Sequence, residues 1–118
     1  MKVMAIKNSI GFVPEGKDRF RVLNPFFRRN GDHFCVVSKK DSDNRWIFTD
    51  EGDTLSEIYH YYGSGIFKGK KREFFNSILE MYGVTNNKGE LFLCHRDNEN
   101  SLFALLQALI SLEALAGF

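Results

Sequence analysis

The last eighteen residues, Ser101–Phe118, carry Leu102, Phe103, Leu105, Leu106, Leu109, Ile110, Leu112 and Leu115 with almost no polar interruption. A helix starting near Asn100 or Ser101 would be apolar nearly all round, which requires cover on more than one side. The rest of the chain must therefore wrap this helix. Its leftover face is small: Ala104, Ala108, Ser111 and Ala114, with Gln107 beside them. Either the helix is the centre of the domain, or it also meets a second subunit, giving a monomer or a homodimer through the C-terminal helix. Gln107, Ser111 and Glu113 interrupt the stretch, so it is read as core and not as a membrane span.

At 118 residues the chain reads as a single domain, 1–118, able to bury roughly two-thirds of its unfolded surface. It needs neither disulfide nor metal to fold, and no cofactor is expected. Sixteen basic residues oppose fifteen acidic ones, for a net charge of +1. No global field draws the chain to nucleic acid or an anionic membrane, so any such contact needs a local patch. Cys35 and Cys94 each sit in an apolar run, which reads as buried, reduced thiols of a cytoplasmic protein; a disulfide between facing strands is the other reading. The N-terminus lacks the long apolar region of a signal peptide.

Residues 1–16 hold Val3, Met4, Ile6 and Ile10 before the breakers Gly11, Pro14 and Gly16, as one short helix or strand. Phe20 and Val22 alternate with Arg19 and Arg21, predicting a strand with one wet face. Asn24-Pro25 ends it, and Asn30-Gly31-Asp32 turns into a second strand, His33–Ser38. Lys39–Asn44 is a hairpin loop and Arg45–Thr49 a third strand, completing an antiparallel meander. Asp53 is the expected N-cap of a helix with the stripe Leu55, Ile58, Tyr59 and Tyr62. A second helix is predicted over about Lys70–Tyr82, with Phe74, Phe75, Ile78, Leu79 and Tyr82 inward and Gly83 as its stop. Glu90–His95 reads as a fourth strand. The fold expected is α+β: an antiparallel sheet of about four strands packed against three helices, the C-terminal helix central.

The succession Asn24-Pro25-Phe26, Asn30-Gly31-Asp32, Thr49-Asp50-Glu51-Gly52-Asp53-Thr54-Leu55, Arg72, Gly83-Val84 and Leu105-Leu106-Gln107-Ala108 resembles a family of small domains of unknown function. That family occurs in bacteria, archaea and their phages. The resemblance spans roughly residues 18 to 115 and supplies no catalytic residues. It implies a setting in prophages and mobile elements, in the company of defence and counter-defence genes.

Two segments carry candidate chemistry. Asp50, Glu51 and Asp53 are the densest carboxylates, and clustered oxygens suit a hard cation. The structural reading is stronger: Asp50 and Asp53 satisfy loose amides at the turn and helix start, and Gly52 takes a conformation closed to other residues. Lys68-Gly69-Lys70-Lys71-Arg72 puts cations in a first helical turn, where the macrodipole disfavours them. An external anion would offset that cost. The internal alternative pairs Arg72 with Asp50 or Glu51. Arg28 and Arg29 form a second basic pair. Tyr59-His60-Tyr61-Tyr62 adds aromatic surface, although Tyr59 and Tyr62 fit the core stripe. His33, His60 and His95 have no nucleophile in an elbow motif; Cys94 and His95 are neighbours on a strand and face opposite ways, and a Cys35–His95 pair from different strands is outweighed by the reading of a buried cysteine as a small hydrophobe. There is no phosphate loop, dinucleotide fingerprint or zinc spacing.

The expected function is a non-enzymatic binding protein of phage or mobile-element type. It would act stoichiometrically on a protein partner such as a host defence complex, as an anti-CRISPR protein does. The expected contacts are Arg28, Arg29, Lys68, Lys70, Lys71 and Arg72. The alternative is a nucleic-acid-binding accessory protein using the same patch. A weaker one is a metal-dependent hydrolase or nuclease at Asp50, Glu51 and Asp53.

Overall fold

The computed structural model describes residues 4–6, 10–28, 30–95 and 98–118. Its strands are β1 (Met4–Ile6), β2 (Ile10–Pro14), β3 (Arg19–Leu23), β4 (Val37–Lys40), β5 (Trp46–Thr49), β6 (Thr85–Asn87) and β7 (Glu90–Cys94). They form one sheet, antiparallel throughout, in the order β1-β2-β3-β4-β5-β7-β6. The α+β expectation holds, with more strands than the four expected. The N-terminal segment supplies two of the extra ones. Gly11 and Pro14 do not break β2, because Pro14 is its last residue and Gly11 pairs with Leu23.

Register fixes the two faces of the sheet. Phe20 lies opposite Ser38, Ser38 opposite Phe48, and Phe48 opposite Leu93. Residues so paired share a face, and Val22, Phe48, Leu91 and Leu93 on it are buried. The other face carries Arg19, Lys39, Val37, Ile47 and Thr49, with Val37 and Ile47 buried beneath charged neighbours. The strand expected at His33–Ser38 begins only at Val37. Upstream of it, Asn24 holds the chain out of the ladder: its amide donates to the Phe34 carbonyl at 2.9 Å and its carbonyl accepts from Phe26 N at 3.1 Å.

The helices are α1 (Asp53–Tyr62), α2 (Gly69–Tyr82) and α3 (Asn98–Ala116), with a 3₁₀ turn at Gly65–Phe67; α1 and α3 pack on the first face, and α2 packs on α3. As expected, α3 is central. Leu105, Leu106, Ala108, Leu109 and Leu112 are fully buried, and the helix touches α1, α2, β5 and β7. Glu99–Ala116 is long and apolar enough to cross a membrane by length and composition, but here its residues form the core. Ala108 is therefore not on a leftover face; beyond the first turn of α3, Gln107, Ile110 and Ala114 are the exposed positions.

Helical phase corrects two inward assignments. On α1, Leu55 and Ile58 are buried but Tyr59 is 62% exposed. On α2, Phe75 and Leu79 are buried while Phe74, about 100° round the helix, is 57% exposed. Gly83 ends α2 in the left-handed conformation, φ 68°, with its amide on the Leu79 and Glu80 carbonyls. Both cysteines are free. Cys35 is exposed and Cys94 half-buried, correcting the expectation that both lie inside.

Candidate functional site

The acidic turn resolves into three separate structural contacts. Asp50 is fully buried. Its Oδ1 accepts from Gly52 N at 2.9 Å and Leu91 N at 3.0 Å, and its Oδ2 accepts from Thr54 N at 3.2 Å. Asp50, not Asp53, therefore satisfies the start of α1, and it ties that start to β7. Gly52 occupies the N-cap position with φ 86°, a left-handed conformation that explains the glycine. Burial pushes the Asp50 carboxyl up, against the amides that favour its charged form.

Glu51 turns to the open face of the sheet. It takes a bidentate pair from Arg19 at 2.7 and 2.8 Å and a bond from Lys39 at 2.9 Å. The Arg19 hydrogen bonds, with Lys39 behind them, bring its carboxyl down to about 2. Lys39 also reaches Glu90 at 3.5 Å, and Thr49 Oγ1 donates to Glu90 at 2.6 Å. These charged chains are the lid over Val37 and Ile47. Asp53 is bound by Arg28. The three carboxylates thus diverge to different partners, and no group of three His, Cys, Asp or Glu converges among the described residues.

Arg28 is consequently not a surface contact. Its side chain is 7% exposed, pairs with Asp53, and stands 3.8 Å from Glu57. Sequence reasoning placed Arg28 and Asp53 in separate sites, yet they hold one another. Twenty-five residues of separation gave no signal of it. Arg29 lies outside the described residues.

Lys68, Lys70 and Arg72 behave differently. All three are exposed, at or just before the first turn of α2, and none has an ion pair among the described residues. Lys71 is half-buried and donates to the Phe118 carbonyl. Arg72 reaches neither Asp50 nor Glu51, so the internal pairing is overturned. Elsewhere Arg19, Arg21, Lys39, Lys40 and Arg45 each have a carboxylate partner. The N-cap residue Lys68 supplies no side-chain acceptor, leaving the first-turn amides of α2 uncapped as well.

One of these cations, Lys70, leads into an apolar stripe. Lys70, Phe74 and Met81 fall on one side of α2 by helical spacing, with Phe74 57% and Met81 72% exposed. Sequence reasoning missed the stripe by assigning Phe74 inward; its phase relative to Phe75 and Leu79 was the available signal. His95 has a partner that chain distance hid: Ser38 Oγ lies 3.2 Å from its Nε2. Ser38 is buried on a regular strand, where a hydroxyl needs such a partner.

Fold and surface together define a small α+β domain in which one helix starts among cations without an ion pair among the described residues and carries exposed apolar side chains on the side of Lys70. The chain belongs to the family described as Domain of unknown function DUF1828, whose model matches residues 24–112. No curated protein and no solved structure matches the chain.

Proposed function

We propose that the chain is a non-catalytic binding protein that docks the outer face of α2 onto an acidic-rimmed apolar surface of a partner protein. The observation carrying this reading is the junction, on one side of α2, of Lys70 with exposed Phe74 and Met81, beside Lys68 and Arg72 at the same helix start, none of these cations having an ion pair among the described residues. Cations in a first turn oppose the macrodipole, and the open amides beside them call for an anion. Arginine, methionine and aromatic side chains are also the types enriched where protein surfaces meet. The setting implied by the resemblance makes a host defence complex the partner class, bound and blocked stoichiometrically in the cytoplasm.

The test is capture of lysate proteins on the immobilised chain, with a nuclease wash, beside the Lys68→Glu/Lys70→Glu/Arg72→Glu variant. A protein retained through the wash and lost with the variant is the expected result. Equal retention by the variant would sink the assignment.

Nucleic acid is the second reading of the same cations, supported by exposed Tyr61 and His60 just before them. It requires that log K fall with log salt at about −0.9 per duplex phosphate contacted, and that retention vanish with nuclease.

A further inference from the structure

A separate, largely open hollow of about 550 Å³ lies at one end of the sheet, lined by Phe20, Ser38, Trp46 and His95 of the helix-bearing face and by Arg45 and Cys94, which alternate to the other face. Phe48 on the same face is fully buried, whereas Phe20, Trp46 and His95 are each partly open. The register explains the gathering: Phe20 is opposite Ser38 and Ser38 opposite Phe48. Trp46 is two residues from Phe48, and His95 two from Leu93. His95 N donates to the Trp46 carbonyl at 3.1 Å, extending the ladder just past β7.

The side chains are held in place before anything enters. The Phe20 and Trp46 ring centres are 6.0 Å apart, and those of Trp46 and His95 6.2 Å. The His95 ring stacks on Phe48 at 3.7 Å and meets Ser38 Oγ through Nε2. Arg45 is clamped by Asp41 through Nε at 3.1 Å and Nη2 at 3.0 Å, which fixes a planar guanidinium at the rim. Partly open aromatic walls, a polar pair at the floor and a fixed guanidinium plane suit one chemical class. A flat, polar ring can stack on aromatic and guanidinium planes while its edge takes a hydrogen bond. Whichever of Ser38 and His95 donates to the other, the serine hydroxyl keeps a further donor or acceptor. The hollow is shallow and open, which suits a flat ring lying on an aromatic wall and not a ligand enclosed on all sides. Arg45 and Lys40 are both paired with carboxylates, so neither is a cation left open for a phosphate and the features that remain are those that fit a ring.

We propose that this hollow binds a nucleobase-class heteroaromatic ring, stacked against Trp46, with Ser38 reading its edge. The ring comes either from a free nucleoside or from a base of single-stranded nucleic acid. Trp46 is the sole tryptophan of the chain, so its fluorescence reports the site directly. Adenosine, guanosine, cytidine and uridine are titrated separately, then a short single-stranded oligodeoxyadenylate at low and high salt, with excited-state lifetimes recorded throughout.

The expected result is saturable static quenching by at least one ring. Phe20→Leu, which keeps bulk but removes a π face, should weaken it about five- to hundredfold. Ser38→Ala should change the order of preference among the four nucleosides while circular dichroism stays unchanged. Saturation by nucleoside at the same base concentration as oligonucleotide assigns a free-nucleoside site; tighter, salt-sensitive binding of the oligonucleotide assigns a single strand. Lack of quenching, a non-saturating collisional quench, or a quench unmoved by both substitutions overturns the proposal.

Discussion

Asp50 is fully buried and holds three backbone amides from two segments that are distant in the chain. Truncation to alanine would leave those amides without an acceptor. Asp50→Ala should therefore cost about 3 kcal/mol, and Asp50→Asn less, because Oδ1 keeps Gly52 and Leu91 although its NH2 group then faces the Thr54 amide, donor against donor. Urea unfolding of the three proteins checks the order. Glu51 gives a different signature. Its carboxyl drops from 4.5 to about 2 on folding, so the stability it contributes is complete above pH 4.5 and is lost as pH falls toward 2. Asp50 shifts the other way and adds nothing to that loss. Glu51→Gln should flatten the stability curve between pH 4.5 and 2, read by urea midpoints across that range. The sequence marked this turn as structural, but two aspartates three residues apart are equally good caps on paper. Which one faced inward depended on β7, which lies forty residues downstream.

Helix phase is the sharpest feature at the level of elements. Phe74 and Phe75 are neighbours of identical chemistry, and the fold treats them oppositely. Phe75→Ala should destabilise by about 3–5 kcal/mol, and Phe74→Ala should stay within about 0.5 kcal/mol. Thermal or urea unfolding of both variants tests the phase of α2 against α3. The helices were legible because apolar spacing and Gly83 mark them in local terms. The strands were less so. Thr85-Asn86-Asn87 has no apolar alternation, and it is a strand only because Glu90–Phe92 pairs with it. Residues 10–14 likewise extend because β3 offers them an edge. Val37 was legible as apolar on a central strand, but nothing local says that it is roofed by ion pairs and not by a helix. Such pairings are tertiary, and local propensity carries little information about them.

Across the whole molecule, charge is close to balanced, 16 against 15, yet its distribution is uneven. Among the described residues, carboxylates accompany Arg19, Arg21, Arg28, Lys39, Lys40 and Arg45, whereas Lys68, Lys70 and Arg72 gather without an ion pair at the start of α2. If stability alone set this sequence, acidic side chains would stand there, because they complement the positive end of the helix dipole. Lys70→Glu and Arg72→Glu should each stabilise the free domain by about 0.3–1 kcal/mol at low salt, and the gain should shrink as salt rises. The same two substitutions should abolish capture of an acidic partner. Measuring urea midpoints and partner retention on one preparation separates the two roles. Higher stability with lost retention means the cations are kept for binding at a cost to the fold. Higher stability with full retention would make them an ordinary solvated cluster and move the docking face elsewhere. Lower stability would mean that the cations support the helix start, contrary to their exposed, unpaired positions.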